Sequence, residues 1–156
     1  MKLLVFSDTH GNDNYLNAMK KHDYDMAIHA GDSLLEDVSK FDYIVRGNCD
    51  YEDFDNYEVI EVSPHKILLL HGHSVDINYS NNVVMDAQEL GCDIIIHGHT
   101  HKVRCEYVDN ILLLNPGSTQ SSRDAFPESY MYISITSKIE VELYQADTNQ
   151  YIDTLL

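Results

Sequence analysis

Five apolar runs in this chain each close on residues of the kinds that ligate metals: LLVFSDTHGN (3–12), MAIHAGD (26–32), YIVRGNCD (43–50), ILLLHGH (67–73) and DIIIHGHTH (93–101). Each run has the length of a buried strand, and strands buried on both faces read as continuous Val, Ile and Leu rather than as alternation. The pattern therefore predicts a set of core strands whose ends bring Asp8, His10, Asp32, Asn48, His71, His97 and His99 to the same edge of one sheet. Polar segments compatible with helices lie between the early runs, at residues 12–22 and again at 79–91. That is a βα rhythm. From Val103 onward close-set strands take over, RCEYV, ILLLN, YMYISI and IEVELYQ, with hairpin turns at Asp109-Asn110 and Ser137-Lys138. The expected product is an α/β fold of two packed sheets with helices outside, the first sheet parallel-rich and the second antiparallel-rich.

Spacing explains how those side chains would share a site. Asp8 and His10 lie two apart past the first strand, so a carboxylate and an imidazole can point into one cleft. His97 and His99 repeat the spacing, with Gly98 between them removing bulk where the backbone nears the cleft. Asp32, after Gly31, offers the two oxygens best suited to bridge cations about 3.5 to 4 Å apart. Asn48 adds a neutral carbonyl oxygen and His71 a further imidazole, making a mixed nitrogen and oxygen set that suits manganese, iron, nickel or zinc. Asp8 and Asp32 could instead cap following helices, but a cap does not call for His10 two residues on. His22, His29 and His65 are read as histidines with ordinary hydrogen bonds. The tyrosines are read as strand packing.

Composition bounds the partners. At 156 residues and 44% hydrophobic content one domain spanning residues 1–156 is expected. A formal charge of −16, from 26 acidic against 10 basic side chains, disfavours stable duplex nucleic-acid binding and favours cations. Three cysteines without a CxxC spacing suggest neither a disulfide framework nor a zinc knuckle, and fit a reducing cytoplasm. The apolar stretch of MKLLVFSD is broken at Ser7 and Asp8, too short for a signal-peptide core or a membrane span. A cytoplasmic protein with no membrane partner is the expectation.

The ordered set Asp8-x-His10, Gly31-Asp32, Gly47-Asn48, His71-Gly-His73 and Gly98-His99-Thr-His101 resembles the calcineurin-like metallophosphoesterases. It is most similar to their small single-domain phosphodiesterases, which share SDTHGN, RGNCD and NPGS, and the resemblance runs from Ser7 to Ser118. It implies a four-layer α/β/β/α sandwich of two mixed sheets and two divalent metal ions, manganese first, with nickel, zinc and iron as alternatives. By matching positions, Asp8, His10, Asp32 and His99 would hold one ion. Asp32, Asn48, His71 and His97 would hold the other. A hydroxide between the ions would attack the phosphorus of a small phosphate ester, most simply a phosphodiester. Many members of the wider superfamily carry His after the metal-binding Asn, and here Cys49 stands there. The group that protonates the leaving oxygen is then sought among Asp50, His73 and His101, with Asn48 and Cys49 beside them. The resemblance also places Asn115-Pro116-Gly117-Ser118, otherwise a turn, beside the cleft. Asn12 is read either as a cap on the first helix or as a phosphate contact, and Arg123 as a solvated loop residue.

Two alternatives accompany the enzyme: a non-catalytic interaction module of the same fold, and a metal store. The open positions of this ligand set argue against a store. Strand edges in the second sheet leave a homo-oligomer open.

Overall fold

Strands form where the apolar runs lie, and the alternation of their side chains decides what each face meets. The computed structural model describes residues 1–156. In chain order the elements are β1 (Lys2–Phe6), α1 (Tyr15–Lys21), β2 (Met26–His29), β3 (Tyr43–Ile44), β4 (Tyr57–Val62), β5 (His65–Leu70), α2 (Asn81–Glu89), β6 (Ile94–Ile96), β7 (Val103–Val108), β8 (Ile111–Pro116), β9 (Ser129–Ile135), β10 (Ile139–Gln145) and β11 (Tyr151–Thr154). Within β1, Leu3 and Val5 face one way and Leu4 and Phe6 the other, and all four are fully buried. Period-two burial on both faces requires cover on both sides.

That cover makes four layers. Leu3, Val5 and Ile28 meet Ile67, Leu69, Ile94 and Ile96 in a core between two sheets. On the far side of the first sheet, Leu4 and Phe6 pack against Tyr15 and Ala18 of α1. On the far side of the second, Leu68, Ile95 and Leu113 pack against Val83, Val84 and Ala87 of α2. The α/β/β/α sandwich is therefore present. Neither helix is long and apolar enough to cross a membrane.

Strand order departs from the expectation in two respects. The first sheet runs β11-β10-β9-β1-β2-β3 and the second β4-β5-β6-β8-β7. The C-terminal strands thus divide between the sheets: the β7–β8 hairpin joins the second, while β9 pairs antiparallel with β1 in the first. Both sheets are mixed, with parallel pairs β1–β2 and β2–β3 in one and β5–β6 and β6–β8 in the other. The ligand-bearing runs are also not at the edge of one sheet, since β1, β2 and β3 belong to the first and β5 and β6 to the second. The reason is that a run buried on both faces can take either neighbour, and only pairing at long range chooses. Of the turns, Asp109 and Asn110 take φ of 49° and 63° between β7 and β8. Two positive φ values in a two-residue loop make a type I′ hairpin.

Candidate metal centre

The loops that follow β1, β2, β3, β5 and β6 meet at one end of the sandwich. Asp8 N–H donates to Gly31 O at 3.0 Å, His10 N–H to Asp32 O at 3.1 Å and Gly98 N–H to His71 O at 3.1 Å, so the loops are tied to one another before any side chain acts. Six non-glycine residues there lie in the left-handed region: Asp8, His10, Asp32, Leu34, His99 and His101, with φ between 43° and 68°. Such conformations are uncommon and cluster where function over-determines the backbone. Glycine appears where that backbone touches the carboxylates. A Cβ on Gly98 would stand 1.8 Å from Ser7 Oγ and 2.7 Å from Asp8 Oδ2, and one on Gly47 only 2.0 Å from Asp32 Oδ1.

Asp8 has no exposed surface. Its Oδ2 accepts from Ser7 Oγ–H at 2.6 Å and from His99 N–H at 3.0 Å. Its Oδ1 is buried without a hydrogen-bond partner, since His101 Nε2 lies 3.1 Å away but without hydrogen-bond geometry, and His10 and His71 Nε2 are each 3.9 Å off. Asp32 Oδ1 accepts from Cys49 N–H at 2.7 Å, while Oδ2 lies 3.4 Å from His71 Nε2 and 3.8 Å from His10 Nε2. Burial opposes charge on both carboxylates. For Asp8, His101, His71 and Ser7 outweigh it and hold the group below the usual carboxylate range, and His71 and the Cys49 N–H do the same for Asp32.

The imidazoles are aimed by their other nitrogens. His71 Nδ1–H donates to Ala30 O at 2.7 Å and His101 Nδ1–H to Ser121 O at 2.7 Å, so in the neutral rings each Nε2 turns a lone pair toward Asp8 and Asp32. A carbonyl behind the ring is the usual support of a metal-ligating histidine. His10 Nε2 faces His101 Nε2 at 3.4 Å. Asn48 Oδ1 stands 3.1 Å from both His71 Nε2 and His99 Nδ1, while its Nδ2–H points to Cys49 Sγ at 3.3 Å. Three sets of donor atoms fall within 4.8 Å of one another: Asp8, His10 and His101; Asp8, Asp32 and His71; His10, Asp32 and Cys49. Ring nitrogens converging on an unpartnered buried carboxylate oxygen fit divalent cations, which would satisfy the carboxylate and the imidazoles together.

Of the residues expected from the sequence, Asp8, His10, Asp32, Asn48, His71 and His99 are brought together. His97 does not join them. It is buried, with Nδ1 3.0 Å from Gly98 O and 3.3 Å from Asn115 Nδ2, and Nε2 has no partner. Alternation explains the difference: Ile94 and Ile96 face the core between the sheets, Ile95 faces α2, and His97 continues on the side of Ile95. Burial pushes its pKa down to about 4. His101, expected among the proton donors, lies instead in one of the donor clusters, with Asp8 and His10, and the H-x-H spacing from His99 was the signal for it.

The proton-donor positions also sort by geometry. Asp50 accepts five hydrogen bonds, from the N–H groups of Gly47 (2.7 Å), Asp32 (2.8 Å), Ser33 (2.8 Å) and Leu34 (3.3 Å) and from Ser33 Oγ (3.1 Å). A carboxylate so engaged is a clamp between the β2 and β3 loops. His73 is exposed at the mouth, its ring 5.4 Å from that of His71 and 6.3 Å from that of His99. Sequence reasoning missed Ser7, whose hydroxyl is spent on Asp8. The Asn115–Ser118 turn supports the site from behind: Asn115 Nδ2–H donates to Gly98 O at 2.9 Å, and Ser118 Oγ–H to Asp8 O at 2.7 Å. Asn12 Oδ1 accepts from Asn14 N–H at 2.9 Å, in the turn into α1.

Comparison with known proteins identifies the family and the fold. The family model of the calcineurin-like phosphoesterase superfamily domain matches residues 1–138. A protein of Bacillus subtilis strain 168 named probable metallophosphoesterase YsnB is 35% identical, with 98% of this chain and 96% of that protein covered. Among solved structures, a conserved protein of Streptococcus pneumoniae TIGR4 described as a predicted phosphoesterase superposes with a TM-score of 0.85 at 28% identity, covering 97% of this chain and 92% of that one. Wild-type Vps29 of Entamoeba histolytica complexed with zinc superposes with a TM-score of 0.78 at 23% identity, covering 99% and 98%, a likeness of fold.

Proposed function

We propose that this chain, which belongs to the calcineurin-like phosphoesterase superfamily, hydrolyses a small phosphodiester with the help of two divalent cations. The observation that carries the reading is the convergence of Asp8 Oδ1, buried and unpartnered, with the Nε2 atoms of His10, His71 and His101. Asp8, His10 and His101 would hold one cation and Asn48, His71 and His99 the other, with Asp32 between them. His101 thus takes the place on the first ion that the resemblance implied for His99, and His99 the place on the second that it implied for His97. Cations held there would lower the pKa of bound water and neutralise charge on the phosphate oxygens.

The protein's own residues do the positioning. Asp8 and Asp32 are held as carboxylates by their neighbours, Asn48 presents its oxygen to two imidazoles, and Asp50 keeps the two loops in register. No strong acid faces the cleft from position 49. Burial, with Asp32 and Asp50, pushes the Cys49 thiol up, and a neutral thiol is a weak proton donor. Turnover should therefore rise steeply as the leaving group becomes more acidic, and a flat dependence across a series of aryl diesters would contradict this.

The test is a paired panel, one aryl phosphodiester and one aryl phosphomonoester, with metal-stripped protein titrated with manganese, nickel, zinc and magnesium. Restored turnover that favours the diester supports the reading and names the ion. Asp32→Asn and Asp8→Ala should abolish that turnover while circular dichroism stays unchanged. Binding of two ions with no turnover on either ester would favour the non-catalytic module.

A further inference from the structure

We propose that Cys49 is itself a metal ligand, its Sγ completing a seat with His10 and Asp32 that favours thiophilic cations such as zinc, cadmium and cobalt over manganese and magnesium. The proposal rests on the metal-binding reading above and adds to it a residue and a class of ion. The sulfur, a ring nitrogen of His10 and a carboxylate oxygen of Asp32 all lie within 4.8 Å of one another. A second observation points to a ligand beside the same imidazole: the unpartnered Oδ1 of Asp8, which has no exposed surface, stands 3.9 Å from His10 Nε2.

Local structure fixes the sulfur there. Cys49 donates its own N–H to Asp32 Oδ1 at 2.7 Å, so its Cα is anchored on the carboxylate with which it would share a cation. Asn48 Nδ2–H points at Sγ at 3.3 Å, and a donor to sulfur supports the charge of a coordinated thiolate as it supports other first ligands. Binding would break the S–H bond, release the proton to solvent and place a sulfur lone pair on the cation, whose two charges compensate the anion formed. Soft sulfur selects among cations where carboxylate and carbonyl oxygens do not. The other thiols lie elsewhere: Cys92 is packed among the α2-side core and Cys105 lies within β7.

Cobalt makes the contact visible, because thiolate bound to Co²⁺ gives a near-ultraviolet charge-transfer band that nitrogen and oxygen ligands do not. Metal-stripped full-length protein titrated with Co²⁺ should develop that band, and Cys49→Ser should lose it while keeping the visible d–d bands that report bound cobalt in a folded site. Competition should show zinc affinity falling by about 10- to 100-fold in Cys49→Ser, with manganese affinity unchanged. Cobalt bound with d–d bands alone in the native protein overturns the role of Cys49 and leaves the metal site standing. A band that persists in Cys49→Ser overturns it as well. Absence of cobalt binding would remove both the proposal and the reading beneath it.

Discussion

His29 shows how a residue's partners decide its chemistry. Gly31 N–H donates to its Nδ1 at 3.1 Å, so the neutral ring carries its proton on Nε2, which donates to Thr9 Oγ1 at 3.0 Å, and the Thr9 hydroxyl donates in turn to Ser33 O at 2.8 Å. Both nitrogens are satisfied only in the neutral form. Burial pushes the pKa down to about 4, against about 6.5 in an unfolded chain. The unfolded state then binds more protons between those values. Stability is complete above pH 6.5 and falls as the pH drops toward 4, by on the order of 3 kcal/mol for this residue. Urea unfolding of metal-stripped protein across that window should give a shallower slope for His29→Gln, and an unchanged slope would disprove it. Gly98→Ala tests the carboxylate's seat: the added methyl displaces Ser7 and Asp8, and cation affinity by calorimetry should fall about 10- to 100-fold, as when a ligand's support is lost. At this scale most of the site was legible, because Asp, Asn and His at the ends of apolar runs have few other reasons to recur. The exchange of His97 for His101 was not read, since spacing from His99 runs equally in both directions and only the facing of β6 separates them.

Elements were legible in proportion to how deeply they are buried. β1, β2, β5, β6, β8, β9 and β10 announce themselves as apolar runs, and α1 and α2 fall inside the polar segments expected to hold them. The missed strands carry thinner signals. β11 is mostly exposed, with Ile152 the one side chain packed toward the core. β4 alternates, burying Ile60 and Val62, but begins at Tyr57, inside a stretch of Asp, Glu, Asn and Tyr that reads as loop. Sheet membership was hidden for another reason: β9 shows the same inner-face pattern whether it pairs with β1 or stays with its sequence neighbours. Strands without donors can be weakened apart from the site. Leu143 of β10 is fully buried in the core between the sheets, and β9 separates it from β1, the nearest strand whose loop carries candidate ligands. Leu143→Ala should cost about 2 to 5 kcal/mol, measured by denaturant, with cation stoichiometry unchanged. Loss of binding in a variant that remains folded would mean that β10 positions the site.

The whole molecule holds two acidic side chains against each other at the meeting point of its two sheets while carrying a formal charge of −16. The four-layer arrangement was expected from family resemblance, because periodicity alone states that strands are covered on both faces without saying by what. Its consequence is that the end of the sandwich is closed by loops from both sheets, through Asp8–His99 and Asn48–His71. A cation seated between them, as proposed above, would cross-link the two halves. It binds the folded state and has no comparable site in the unfolded chain, so it stabilises by mass action, by about 2.7 kcal/mol at a free concentration 100 times the dissociation constant. For a domain of this size that is roughly 5 to 11 °C in melting temperature, at about 2 to 4 °C per kcal/mol. Sodium chloride at matched ionic strength screens the surface charge but cannot enter as a ligand, so it should give a smaller rise. Asp8→Asn removes a carboxylate without changing its shape, and should abolish the divalent increment while leaving the sodium effect intact. Equal increments in the native protein and Asp8→Asn would mean that the cations act only on the acidic surface.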